Sequence, residues 1–577
     1  MATSKRDNPF LLPKRDGSTK YKGDFSRKKL KQWVDRMPVS DVQKVASDLY
    51  EKLDRLNVTD ISSASRFEIL QILQPSINYI LDSLKEKCTE GTFPLDIERR
   101  MVAGLRLGIL IQVVKGYKTV LSQLHDATVT GTIFHRQTKV DALREAVFYL
   151  GEVLLHSYSV YQSCVNYAWK ELHGIYYYAV QNELNGDADI GAKQNKLDQL
   201  GVDGLYKQIL LLALANPRSL LKGEVERVNT ILQDLVAYVD LEPLGRASSA
   251  ESYYIIDAQS DEMPCAPNLQ KDSKVNVGWC LVADGLGKIM DRKISSAEAS
   301  QNNMRPIDAE VLRLMRKLRD SWSNQIRPRE LRNQIADEVE LICGLDSMYQ
   351  VHGGEEPSDT DSWRHQLNMA LYSSGYHPIG SPILDNEEIL IEIEPGTLEP
   401  YQFNKVAAWH RPKRNQVEID GRECVALNRS EHGYCLNWPD SGDGGTHVGE
   451  LVGINSKRRN GDSSEASFGV IRWLYADQPG FLDMGIELLS GHFEPIILQC
   501  ERDNKQQVEK IKGFLQHPDS GYAASLITPP FYVTEKDNIR VITDNEDIPV
   551  NVTTIIESTD SFVRFGFEQA TETAFPM

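Results

Sequence analysis

The chain is 577 residues long, 41% hydrophobic and 25% charged, a globular balance with length for roughly three or four domains. Its formal charge of −18 excludes a general nucleic-acid binder, because phosphate backbones are held by basic surfaces. No apolar run approaches the roughly 18 residues of a membrane-spanning helix, so the chain is not expected to be transmembrane. The start Met1-Ala-Thr-Ser-Lys-Arg-Asp7 has no apolar stretch behind its charges, so no secretory signal is expected. The eight cysteines are scattered without a Cys-x-x-Cys pair. That predicts a reducing, cytoplasmic home and neither a zinc site nor a disulfide framework.

Taken in chain order, residues 1–23 read as a basic, flexible tail, with Lys5, Arg6, Lys14, Arg15, Lys20 and Lys22 leading into Arg27-Lys28-Lys29-x-Lys31. Such an arm is either a solvated tail or a contact for an acidic partner or membrane surface. Residues 24–240 are helical almost throughout. Ser40-Asp41-Val42-Gln43 reads as a capping box, and Val42, Val45, Leu49, Leu53 and Leu56 follow it on one helical face. A second stripe runs Phe67, Leu70, Leu73, Ile77, Ile80, Leu84, with Pro75 predicted to kink it or start a new helix. Further helices are expected at 95–124, 139–157, 159–183, 194–215 and 219–239, with Asn216-Pro217 as a break. Together they predict an all-α helical bundle or a stack of helix pairs. Tyr158, Tyr161, Tyr167, Trp169 and Tyr176-Tyr177-Tyr178 are aromatics at helical spacing, which belong to a core more often than to a groove.

Residues 245–375 read as a mixed connecting module: strands at Ser252–Ile256 and Val277–Val282, helices at Asp308–Asn324 and Glu330–Cys343. From 385 to 500 short β runs are separated by turn residues, among them Ile389–Ile393, Cys424–Leu427, Gly433–Trp438, Gly449–Ile454, Phe468–Tyr475 and Met484–Leu489. This is the cadence of a small antiparallel barrel. Residues 501–577 read as a helix at Gln506–Gln516 followed by a small β extension. The fold class is therefore a multidomain α+β protein: helical bundle, mixed module, C-terminal β-barrel.

Phosphate-loop, serine-hydrolase and zinc-protease spacings are all absent, so an enzyme is not expected. The informative stretch begins at Trp409-His-Arg411-Pro-Lys413-Arg414 and continues through Cys424-Val-Ala-Leu-Asn428-Arg-Ser430-Glu-His-Gly433. Each part suits an anionic purine nucleotide. A guanidinium forks onto phosphate oxygens or onto the O6 and N7 edge of guanine. Asn and Ser at a strand-end turn offer short donors and acceptors, and a glycine lets backbone approach a ligand.

The turn Asn428-x-Ser430-x-x-Gly433 resembles the PilZ domain signature, Asp/Asn-x-Ser-x-x-Gly. Val448–Ile454, Phe468-Gly-Val-Ile-Arg-Trp473 and Met484-Gly-Ile-Glu-Leu488 are similar to that domain's later strands. The resemblance covers about residues 400–500. It implies a barrel that binds cyclic di-GMP, a bacterial second messenger, through Arg411, Lys413, Arg414, Asn428, Ser430 and Gly433, with no other cofactor and no metal. The family's second motif is Arg-x-x-x-Arg in the segment ahead of the barrel. Here Arg411-x-x-Arg414 is one residue short, with His410 standing four before Arg414. The function so implied is a non-catalytic effector that signals through its helical region to a protein partner, in motility, pili or surface attachment. The alternative is a nucleotide-independent scaffold or adaptor with a degenerate barrel.

Overall fold

A computed structural model describes residues 22–37, 41–126, 134–186, 200–244, 252–267, 275–299, 306–323, 332–353, 421–439, 445–456, 466–477, 480–501, 508–518, 523–530, 538–543 and 547–570, with the isolated positions Phe10, Leu12 and Val533. These residues fall into two units, one containing the described residues up to Ser323 and one containing those from Arg332 onward.

The first unit is built from helices α1 (Arg27–Asp35), α2 (Val42–Val58), α3 (Ser63–Thr89), α4 (Ile97–Asp126), α5 (Phe134–Ser159), α6 (Ala168–Gln181), α7 (Val202–Leu214) and α8 (Glu224–Leu235). The cap of α2 is Asp41 itself, whose carboxylate accepts from the Lys44 amide at 3.1 Å. Helix α3 runs unbroken through Pro75. Helix α4 is buried on nearly every side from Val102 to Leu124, and α2, α3 and α5 close round it. Two of its buried cations are paired: Lys118 with Glu171 on α6 at 2.8 Å and Arg106 with Glu152 on α5 at 3.0 Å. Burying either charge alone would cost several kcal/mol.

Of the aromatics singled out above, Tyr158, Tyr161, Trp169, Tyr176 and Tyr178 lie in the core and Tyr177 at the surface. Beyond α8, strands β1 (Asp240–Pro243), β2 (Tyr253–Asp257) and β3 (Gly278–Val282) form an antiparallel sheet in the order β1-β3-β2. Trp279 on β3 packs edge-on against Tyr176, 5.0 Å between ring centroids, while Tyr176 stacks on Tyr206 at 3.8 Å. Helices α9 (Asp284–Ala299) and α10 (Pro306–Trp322) complete this unit. Trp322 donates its indole N–H to the Leu211 carbonyl of α7 at 3.1 Å.

The second unit holds two closed antiparallel barrels. The first comprises β4 (Asn333–Cys343), β5 (Gly421–Ser430), β6 (Gly433–Pro439), β7 (Leu451–Ser456), β8 (Ser467–Tyr475) and β9 (Phe481–Leu488), in the order β4-β5-β6-β9-β8-β7. The second comprises β10 (Phe493–Glu501), β11 (Val508–Gln516), β12 (Ser525–Thr528), β13 (Asn538–Ile542), β14 (Asp547–Ser558) and β15 (Val563–Gln569), in the order β10-β11-β12-β15-β14-β13. Counting strands within each barrel, both walls run first, second, third, sixth, fifth, fourth. The chain therefore carries the same strand topology twice.

Two expectations are corrected. Glu330–Cys343 was expected to be helical, yet Asn333–Cys343 is strand β4, so the first barrel draws its opening strand from the stretch read as a connecting module. Glu338 and Glu340 favour helix, but buried Val339 and Leu341 alternate with exposed Glu338 and half-buried Glu340, and pairing with β5 and β7 on either side overrides propensity. Gln506–Gln516 was also expected as a helix, and Val508–Gln516 is strand β11. The tail is a second full barrel rather than a helix with a small β extension.

The barrels are joined by an apolar seam. Helix α11 (Leu345–Val351) follows β4, and its Leu345, Met348 and Tyr349 pack with Phe468 and Val470 of the first barrel and Phe493, Phe514, Ile527 and Phe562 of the second. Phe468 stacks on Phe493 at 4.1 Å. Gly453 leaves room for Met348 here: a Cβ would stand 2.2 Å from the Met348 sulfur, so the thioether would have to move.

Candidate functional site

Strands β5 and β6 form a hairpin in which Ser430 pairs with Gly433, so Glu431 and His432 alone make the turn. Along β6 the buried residues are Tyr434, Leu436 and Trp438. On β5 Cys424 and Ala426 point inward likewise. A register shift between Ala426 and Asn428 then reverses the alternation, and Asn428 comes to lie opposite Cys435 on the outer face. Ser430, two residues on, shares that face. Arg429 points the other way, and its guanidinium sits over the Tyr434 ring, 5.1 Å from the centroid. The bulge thus turns both short polar side chains of the motif outward and leaves the intervening arginine at the barrel mouth.

The outer face continues over the neighbouring strands. Cys435 pairs with Gly485 on β9, and Gly485 pairs with Trp473 on β8. The indole lies on the glycine: a Cβ at Gly485 would be 1.9 Å from Trp473 Nε1. On the other side, Gln334 of β4 pairs with Asn428 and Asn333 with Arg429. The start of the barrel's first strand therefore lies directly beside the motif, and Arg332 precedes it.

Arg332 also acts on this face. Burial and the charge of Asp483 push the Cys435 thiol up, while the Arg332 guanidinium and a hydrogen bond with Asn428 pull it back down. Arg332 and Asn428 converge on one side chain.

Of the six residues singled out by sequence, Asn428, Ser430 and Gly433 are brought together at this hairpin. Arg411, Lys413 and Arg414 lie outside the described residues. Gly433 has a reason of its own: a Cβ there would stand 2.5 Å from the Ile486 carbonyl oxygen of β9, so strand packing demands it whatever binds. Sequence reading did not single out Arg332, which stands just before β4. The signal was the run Arg327-Pro-Arg329-Glu-Leu-Arg332 just before a strand, and it was hidden because that strand was read as a helix.

In the second barrel the corresponding place is filled from within. Gln516 at the end of β11 pairs with Ser525 at the start of β12, and both are buried. Ser525 Oγ donates to Gln516 Oε1 at 2.6 Å, and Arg564 of β15 donates Nε to Ser525 Oγ at 2.9 Å and Nη2 to Gln516 Oε1. Gln516 in turn donates to the Ser490 carbonyl at 2.5 Å. Phe514 and Ile527, on the same outer face, are in the seam between the barrels.

No group of three or more His, Cys, Asp or Glu side chains among the described residues could hold a metal ion. Among them, too, no helix is long and apolar enough to cross a membrane.

Two family models match the chain in succession. Residues 28–247 match the N-terminal domain of the cyclic-di-GMP receptor FimW, and residues 253–495 match that receptor's middle PilZ domain. Over 563 residues the chain is 21% identical to the cyclic-di-GMP receptor FimW of Pseudomonas aeruginosa, across 95% of this chain and 91% of that protein.

Proposed function

We propose that this chain, a member of the PilZ domain family through its first barrel, is a non-catalytic cytoplasmic receptor that binds cyclic di-GMP at the β5–β6 hairpin. The observation that carries this reading is the outward pair Asn428 and Ser430, set beside the first residues of β4, which Arg332 precedes. Two amide or hydroxyl groups can satisfy a guanine edge, while guanidinium groups take the phosphates. Ligand binding draws arginines from the segment ahead of β4, or from 410–414, onto the hairpin, and the change in order is passed to a protein partner through the helical unit. The likeness of the whole chain to a cyclic-di-GMP receptor supports this.

Titration calorimetry of the full chain with cyclic di-GMP tests the reading. It expects saturable binding with a dissociation constant of about 10 µM or tighter. Absence of binding, or binding unchanged in Asn428→Ala/Ser430→Ala, overturns it.

The scaffold reading is favoured by one observation: the second barrel has the same topology and uses its equivalent face as a docking surface. It requires partner capture that is equal with and without nucleotide, which a paired pull-down measures.

A further inference from the structure

The first barrel's outer face runs from the hairpin directly into the seam with the second barrel. Glu487 of β9 pairs backbone to backbone with Gly433, and the next amide, Leu488, donates to the His432 carbonyl inside the turn at 2.8 Å. Strand β9 is therefore bonded to the turn at His432 and to the strand that leaves it at Gly433. Arg472 of β8 donates Nε to Glu487 Oε2 at 2.5 Å. Its two terminal nitrogens go to the two carboxylate oxygens of Glu557 on β14, with Nη2 to Oε2 at 3.3 Å. Burial works against this guanidinium, yet the hydrogen bonds to Glu557 and Glu487 hold its pKa above the ordinary arginine value.

One cation thus serves two carboxylates that belong to different barrels. The Glu557 side chain is only 18% exposed, so the bond to it is poorly screened by solvent. The triad carries a net charge of −1 beside a turn that, on the function proposed above, receives a ligand with two phosphates. A phosphate is as good an acceptor for an arginine fork as a carboxylate.

We infer that Arg472 is the contact through which the second barrel senses the ligand turn: nucleotide on the hairpin and the Arg472–Glu557 bridge compete, so occupancy loosens the seam between the barrels. The inference rests on the cyclic di-GMP reading. By linkage the coupling is reciprocal, so weakening the bridge must strengthen binding by the same factor.

The test is cyclic di-GMP affinity of the full chain by calorimetry. Glu557→Gln, which removes the competing charge but keeps the shape, is expected to bind about fivefold or more tightly than wild type. Glu557→Asp, whose shorter arm lengthens the bridge, should fall between them and guards against a misfolded Gln variant. Arg472→Gln should bind more weakly than wild type, and adding Glu557→Gln to it should restore nothing. Hydrogen exchange in β14 should rise when nucleotide is added to wild type. If both Glu557 variants melt at a lower temperature but bind like wild type, the bridge is only a fastener and the coupling is wrong, while the receptor reading stands. If wild type binds no nucleotide, the receptor reading fails and the coupling falls with it.

Discussion

Ser525 and Gln516 are bonded to each other, Oγ to Oε1 at 2.6 Å, at the step of the second barrel where Ser430 faces Gly433 in the first. Arg564 closes the group. The same topology therefore turns Asn428 and Ser430 outward in one barrel and, at the matching step of the other, bonds the outward side chains to one another.

One class of nucleotide site per chain follows. Calorimetry or equilibrium dialysis should show all binding lost together in Asn428→Ala/Ser430→Ala. A second class surviving in that variant would contradict the filled face. Arg564→Ala leaves the buried Gln516 and Ser525 short of a partner, and should cost about 2–3 kcal/mol of stability. Thermal unfolding measures that.

Asn428 and Ser430 are clean probes of binding, and Gly433 is not. Asn428→Ala and Ser430→Ala lie on the outer face and should change stability by less than about 0.5 kcal/mol, while lowering affinity about tenfold or more if each bonds the ligand. Gly433→Ala puts a methyl against the Ile486 carbonyl and should cost about 1–3 kcal/mol. Its binding loss must be read beside a melting curve.

The two basic segments can be told apart. Arg332 adjoins the motif through β4, so Arg332→Ala should weaken cyclic di-GMP binding about tenfold or more. A triple change of Arg327, Arg329 and Arg332 to Ala should lose it. If Arg411→Ala/Arg414→Ala abolishes binding and the triple variant does not, the site takes its arginines from the segment ahead of β5.

Acid should act on the helical unit through its buried histidines, His156, whose pKa burial pushes well down, and His173. The His173 Nδ1 lies 2.7 Å from the Tyr206 hydroxyl and its Nε2 donates to the Glu262 carbonyl at 2.9 Å. Burial pushes its pKa down from 6.5 to about 4, against smaller upward effects of the Glu262 carbonyl and Asp261. The folded pKa is depressed, so the unfolded chain takes up the proton first. The stability linked to this group is whole above pH 6.5 and is lost as pH falls towards about 4, on the order of 3 kcal/mol in all. Urea unfolding at stepped pH should show this loss, and His173→Gln should reduce it while leaving the part linked to His156.

What the sequence reveals follows its periodicity. Helices with one apolar face, such as α2 at Val45, Leu49, Leu53 and Leu56, are legible because only one side is buried. The hairpin is legible because Asn428, Ser430 and Gly433 are local. Strand β11 is not, because Phe514 is buried in the seam on one side and Ile511 in the barrel on the other, and burial on both faces erases the alternation. Strand β4 is hidden by its glutamates, and with it the arginines before it. The repeat of topology is invisible because the spacing Asn-x-Ser-x-x-Gly does not recur at 516–525.

The seam also dictates how the protein can be taken apart. Phe468, Val470, Leu345 and Met348 are covered by Phe493, Phe514, Ile527 and Phe562, with only residues 489–492 linking β9 to β10. Cutting at that link would leave a PilZ barrel with a bare apolar flank, prone to self-association. The two barrels should melt in one transition, and a fragment fit for solution work should keep both.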